Sequence, residues 1–205
     1  MSDQNYRVLR FDELTVQRNR GEDIARNIQA NGVGAAHQTF GVWLPMIGIS
    51  VNVVTAATNL TDEPPAADYG TDGIVSVRTR LFDVLARGQE PCTRDGVYTH
   101  RWFVVRPEDV EIVTQQSVEA WKSSEADTDM RITGFWLCRD RNERGEAVIL
   151  MVVYYPDLAA WEKSRYWKPL PKGEVQPNRN VWGGLFQQRR DTQIDSWVTV
   201  HRLAK

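Results

Sequence analysis

Three histidines, His37, His100 and His201, are the side chains best suited to acid-base work or metal ligation near neutral pH. No two of them stand at local ligand spacing, and no Cys-x-x-Cys pair or His-Glu-x-x-His helix accompanies them, so no metal centre is expected. A Gly-rich phosphate loop and a Gly-x-Ser-x-Gly elbow are also missing, which removes the usual support for the enzyme classes built on them. What remains is acid-base chemistry without a cofactor: a histidine as general base, an arginine to hold a carboxylate or oxyanion, a tyrosine to donate a proton. Eight tryptophans add the material for an aromatic-lined binding space.

The elements that must position these groups read as two similar halves. In the first, residues 6–14 read as a strand, and 17–31 as a helix with Ile24, Ala25 and Ile28 on one stripe and Gly32 as its stop. Strands over 36–46, 50–57 and 74–82 follow. The second half repeats this order, with a strand over 98–105, a helix over 107–124 carrying Val110, Val113, Val118 and Trp121, and strands over 130–138 and 147–155. A short helix over 158–167, capped by Asp157, and a last strand over 194–203 complete it. At an offset of 93 residues, Phe40-Gly41-Val42-Trp43-Leu44 lies over Thr133-Gly134-Phe135-Trp136-Leu137, with Gly, Trp and Leu identical.

One antiparallel sheet with helices on a single face leaves its other face bare. The expected fold is therefore α+β: two ferredoxin-like βαββ repeats, residues 1–92 and 93–205, whose antiparallel sheets meet as a pseudo-dimeric α+β barrel. The space between the sheets is the candidate site. Strand alternation turns Phe40, Val42 and Leu44 toward the helices and His37, Thr39, Gly41 and Trp43 inward. In the other half Phe135 and Leu137 lie under the helices, while Ile132, Gly134, Trp136 and Cys138 point in. His100 shares a face with Trp102, Arg78 with Ser76 and Arg80, and Tyr154 and Tyr155 face opposite ways, so one of the two reaches the cavity. His37, Arg78 and Tyr154 are the expected catalytic set. Trp43, His100, Trp102, Trp136 and Tyr155 are the expected walls for substrate. The segment 168–190, with three prolines and Gly183-Gly184, reads as a lid or as a plain connection.

Composition narrows the partners. With 205 residues, 41% hydrophobic and 25% charged, the chain is long enough to bury a core and too apolar to be disordered. A net charge of -2 without a basic cluster argues against nucleic acid. No apolar stretch approaches the roughly 20 residues of a membrane span, and the first residues lack an apolar core after a basic start, so a cytoplasmic location is expected. Cys92 and Cys138 read as reduced thiols.

A family resemblance is carried by Gly134-Phe135-Trp136, the charged hairpin 139–145, and the apolar strand that ends Tyr155-Pro156-Asp157-Leu158-Ala159-Ala160-Trp161, followed by Ser164-Arg165. These residues resemble the NIPSNAP group of the dimeric α+β barrel superfamily. In the first half the matching stretch is degenerate, Asn59-Leu60 running into Thr61-Asp62-Glu63-Pro64-Pro65. The superfamily holds antibiotic-biosynthesis and haem-degrading monooxygenases, chlorite dismutases, and small lyases and isomerases, so the resemblance implies a fold more than a reaction. The expected activity is of lyase or isomerase type, free of cofactor, on a small apolar or aromatic compound. The resemblance implies haem as the alternative, in a haem-binding protein or a haem-using monooxygenase with His100 or His201 as ligand. A non-catalytic binding or assembly protein, with Trp43 packed against Trp136 in a solid interior, is the third reading. Barrels of this group often associate further, so a homo-oligomer is compatible with all three.

Overall fold

The computed structural model describes residues 6–32, 38–61, 69 and 72–205. Eight strands, β1 (Val8–Val16), β2 (Gln38–Ile47), β3 (Val53–Leu60), β4 (Ile74–Arg87), β5 (Val97–Val105), β6 (Arg131–Cys138), β7 (Ala147–Tyr155) and β8 (Asp195–Leu203), close one barrel. Every pairing is antiparallel, in the order β1-β3-β2-β8-β5-β7-β6-β4. Exchanging β1 to β4 for β5 to β8 reproduces that order, so two ferredoxin-like sheets are joined by the seams β2–β8 and β4–β6. Closure leaves neither sheet with a free edge. The α+β barrel expected from the sequence is the fold observed.

Among the described residues four α-helices lie outside the barrel: α1 (Gly21–Asn31), α2 (Val110–Asp127), α3 (Leu158–Lys163) and α4 (Arg179–Thr192). Among the described residues no helix is long and apolar enough to cross a membrane. Strand alternation divides each half into an inner and an outer layer. From β1, Leu9 and Phe11 enter the barrel, while Leu14 and Val16 pack under α1 against Ile24, Ala25 and Ile28. From β5, Tyr98 and Trp102 enter the barrel, while Phe103 and Val105 pack under α2 with Val113 and Trp121. Val118 is exposed instead of joining that stripe, and Ser117 is buried, its hydroxyl donating to the Val113 carbonyl at 2.7 Å.

Of the register shifts in the barrel, one pair recurs at the same place in the two halves, between Thr39 and Gly41 in β2 and between Ile132 and Gly134 in β6. A bulge re-aims side chains, and this corrects two expectations. Phe40 points into the barrel against Trp43 and Trp136, not toward a helix. Ile132 points outward into the helix layer, not inward.

The segment 168–190 is corrected as well, since α4 occupies its second part. Adjacent glycines lower helix propensity, but tertiary docking overrides it here. The buried Trp182 indole donates to Asp127 at 2.9 Å, and Gly183 brings α4 so close to Tyr166 that an added Cβ would lie 3.4 Å from the Tyr166 Cβ. Asp157 caps α3 as expected, accepting from the Ala160 amide at 2.7 Å. Both cysteines are free thiols.

Candidate functional site

The space between the two sheets, where the sequence placed the site, is packed. Trp43 and Trp136 occupy equivalent positions, each opposite the matching residue of its neighbour strand, and both are 0% exposed. Each indole folds back over the glycine two residues before it. A Cβ on Gly41 would come within 2.4 Å of the Trp43 ring, and one on Gly134 within 1.9 Å of the Trp136 ring. The Gly-x-Trp repeat is thus a packing device. His100 sits edge-on to Trp43 with ring centroids 4.7 Å apart and stacks on His201 at 4.0 Å. Burial holds the His201 pKa down at about 3, and burial followed by the neighbouring His201 holds His100 well below its ordinary value. Both rings are neutral at pH 7. The His201 Nε2 lies 2.8 Å from the Thr199 hydroxyl, while the His201 Nδ1 and His100 Nε2 have no partner. Trp43, Trp136, His100 and Trp102 therefore build the barrel core and line none of the three clefts described below.

Of the expected catalytic set, Arg78 and Tyr154 are not brought together. His37 lies outside the described residues. Arg78 lines a cleft of about 400 Å³ at the Val148 end of the barrel, beside Arg80 and Trp197. Tyr154 lies at the other end, opposite Tyr98 in the β5–β7 register, with its hydroxyl donating to the Asp95 carbonyl at 3.1 Å and the Arg94 guanidinium over its ring. The packed interior separates the two.

Tyr155 faces the opposite way from Tyr154, into the helix layer, and this is where a site forms. A cleft of about 450 Å³ opens between the outer face of β5, β7 and β8 and the layer formed by α4 and residues 164–167, which follow α3. Met130, Ile132, Met151 and Val153 make its apolar floor, and Tyr166, Trp167 and Phe186 its aromatic side. Arg101, Arg165, Arg189 and Arg190 supply its charge, and its described lining contains no Asp, Glu or His. The Arg101 guanidinium donates to the Tyr155 hydroxyl at 3.1 Å, so the tyrosine's own O–H is left to serve a ligand.

Arg189 is 7% exposed and held between two rings, its Cζ 4.8 Å from the Phe103 centroid and 4.7 Å from that of Phe186. Its Nη1 donates to the Ser117 hydroxyl at 3.3 Å, and its Nε has no partner. Burial, and then the nearby Arg101 cation, push its pKa down to about 9. Among the described residues, no carboxylate pairs with Arg189 or Arg101.

The other two clefts lack such a group. At the Tyr154 end, a cleft of about 510 Å³ holds Arg87, which is bidentate to Glu125, and Cys92, whose thiol burial pushes up to about 12 and so keeps protonated. At the Arg78 end, Arg80 pairs with Glu13 at 3.3 Å and lies over the Trp102 ring. Sequence reasoning missed Arg101 because it lies on the strand face opposite His100 and Trp102, and missed Arg189 because its helix read as a loop.

No family model matches the chain, and no curated protein matches it. Solved structures match along its whole length. A protein from Lactobacillus acidophilus NCFM provisionally named a monooxygenase superposes with a TM-score of 0.64 at 9% identity, covering 98% of this chain and 95% of that one. An anthrone oxidase-like protein gives 0.61 at 10% identity, covering 100% and 94%. A ferredoxin fold protein related to antibiotic biosynthesis monooxygenases, from Listeria monocytogenes 4b F2365, gives 0.53 at 12%, covering 98% and 97%. At such identities the likeness is one of fold, that of the ferredoxin-like α+β barrel.

Haem fits this chain only in part. His100 and His201 are each 1% exposed and line none of the three clefts, a setting that does not suit either as its ligand. The helix-side cleft offers Tyr155, a residue type that ligates haem iron elsewhere, and two guanidiniums that suit propionates.

Proposed function

We propose that this protein is an oxygenase-type enzyme that takes a small apolar or aromatic molecule into the cleft between the second sheet and α4 and oxidises it there. The observation that carries the reading is the cleft: apolar floor, aromatic wall, and Tyr155 set by Arg101 at its edge. Support for the reaction type comes from the names of structural neighbours, monooxygenase and anthrone oxidase-like. The lyase reading gains nothing from them, and two of its residues, Arg78 and Tyr154, lie at opposite ends of the barrel.

With no Asp, Glu or His in its described lining, the cleft suits a substrate acidic enough to ionise by itself. An activated methylene next to an aromatic ketone is such a group. It loses a proton to solvent as the enolate forms, and the enolate carbon passes an electron to dioxygen and bonds to it. The resulting hydroperoxide takes up a proton and loses water, so that CH2 and O2 become C=O and H2O. Tyr155 donates its hydrogen bond to the enolate oxygen, while Met130, Ile132, Met151 and Val153 exclude water from the carbon. The test is oxygen uptake with a panel of polycyclic aromatic ketones. Ser196, exposed at the cleft wall, is the blocking position. Uptake should disappear in Ser196→Trp and persist in His100→Gln, and uptake that survived Ser196→Trp would move the reaction elsewhere.

The Arg101–Tyr155 hydrogen bond favours a second reading, haem seated in the same cleft. Bound haem would supply dioxygen activation or its own degradation, with Tyr155 as ligand and Arg101 and Arg189 on the propionates. Haemin titration would then give a saturable Soret band that is altered in Tyr155→Phe and unaltered in His201→Gln. We also read residues 1–92 and 93–205 as the two copies of a duplicated unit, supported by the matching bulges and the matching Gly-x-Trp stations.

A further inference from the structure

Every other strongly buried charge in the described part of the protein has an opposite charge beside it. Arg10 meets Asp12 at 2.9 Å, both essentially inaccessible. Arg189 does not: it is buried, its Nε is unpartnered, its one hydrogen bond among the described residues is a long one to a serine, and it shares the cleft with a second cation, Arg101. A buried guanidinium without a counterion is costly, and a fold keeps one when something outside the chain completes it. Two aromatic rings clamp its plane, which fixes the direction of its donors at little entropic cost. Both guanidiniums belong to the lining of the same cleft, whose floor is apolar.

We propose that the ligand of this cleft is an anion, an aromatic or polycyclic body bearing one carboxylate, phenolate or comparable acidic group, and that Arg189 with Arg101 is the specificity device that receives the acid. This rests on the reading of the cleft as the binding site and deepens it. The apolar body lies on Met130, Ile132, Met151 and Val153, and the acid takes the donors that the protein leaves unsatisfied. A neutral compound of the same shape would leave Arg189 buried and unpaired, so discrimination is by penalty as well as attraction.

The test uses two fluorescent probes that share a ring system: anilinonaphthalene sulfonate, which is anionic, and phenylnaphthylamine, which lacks the acid. The wild-type protein should bind the sulfonate about tenfold or more tightly than the amine. Arg189→Met keeps bulk between Phe103 and Phe186 and removes the charge, so sulfonate affinity should fall by about that factor while amine affinity holds or rises. The same variant should melt at the same temperature or higher, because an uncompensated buried charge has gone; a residue needed only for packing would lower it. Arg101→Met, at a half-buried position, gives an independent reading of the same preference. Equal binding of both probes by the wild type, or an equal loss of both in Arg189→Met, overturns the proposal and leaves the apolar cleft standing. Failure of Ser196→Trp to displace either probe overturns it together with the placement of the site.

Discussion

Asp12 and Arg101 occupy the same position in the two halves. Asp12 pairs with Ala56 on one side and Thr79 on the other, and Arg101 pairs with Met151 and Val198 in the same lattice. In the first half this outer patch is closed on itself. Asp12 accepts from Arg10, from the Thr79 hydroxyl at 2.5 Å and from the Tyr69 hydroxyl, whose ionisation is pushed up by burial and then by that carboxylate. In the second half the patch is a cation facing an open cleft, with a second cation behind it. One copy of the fold resolves its buried charge internally and becomes scaffold. The other leaves its charge open to the cleft, where the proposed ligand would meet it.

The largest expected effect tests the closed half. Asp12→Ala strands the Arg10 cation among buried atoms and should cost about 3–5 kcal/mol, read by urea unfolding. Arg101→Met, at the equivalent place, should cost less, about 1–2 kcal/mol, because it removes a hydrogen bond to the buried Tyr155 hydroxyl but strands no buried charge. If the two substitutions cost the same, the distinction between scaffold and site is lost. Next in size is a test of what the halves share. Gly134→Ala forces a Cβ into the Trp136 ring and Gly41→Ala one into the Trp43 ring, and each should destabilise by about 1–3 kcal/mol. Gly134, with the closer approach, should be the worse of the two. Melting temperatures unchanged in both would remove the Gly-x-Trp stations from the packing account.

The interior offers a smaller contrast. Where the second half places His100 and His201, the register of the first half places Phe11 and Phe82. The His201 pKa falls from 6.5 in the unfolded chain to about 3 in the barrel, and His100 shifts the same way. The unfolded state therefore takes up protons first. Stability is complete above about pH 6.5 and declines as the pH falls, by about 1.4 kcal/mol per pH unit for each fully coupled histidine. The range from pH 6.5 to 5 lies above most carboxylate titrations. Denaturant midpoints across it should fall in the wild type and stay level in His100→Phe combined with His201→Phe, which imports the first half's residues. A level profile in the wild type would mean that the histidines do not carry the acid sensitivity.

These contrasts show which features were legible in the sequence. Periodicity of two carries the strands, and the shared Gly-x-Trp spacing marks two equivalent stations, so the α+β barrel could be read directly. Faces could not, because a bulge one residue long sends Phe40 inward and Ile132 outward and leaves no mark beyond a glycine. The site was hidden for a related reason. Trp43, Trp136 and His100 looked functional by residue type and proved to be filling, while Arg101 and Arg189 become informative only when their missing counterions are seen. Tyr155 was read as a wall residue, and the structure puts it in the cleft, though on the helix side of the sheet.

The smallest expected effect concerns α4, the element that local sequence least announced. Among the described residues its N-terminus is tied down by one side chain from α2: Asp127 accepts from the Asn178 amide at 2.7 Å, from the Asn178 side chain at 3.0 Å and from the Trp182 indole at 2.9 Å. A carboxylate beside a helix N-terminus is favoured by the unpaired amides there. Asp127→Ala removes all three contacts at a half-buried position and should cost about 1 kcal/mol. The loss should fall on α4 and not on the barrel, since the two Gly-x-Trp stations lie on the far side of the sheet. Amide hydrogen exchange should therefore quicken across Arg179–Thr192 while β5 and β7 keep their protection, and sulfonate binding should weaken because Arg189 rides on the loosened helix. Uniform acceleration across strands and helix would mean that α4 is part of the barrel's cooperative unit, and that the second half differs from the first by more than a helix laid over a shared sheet.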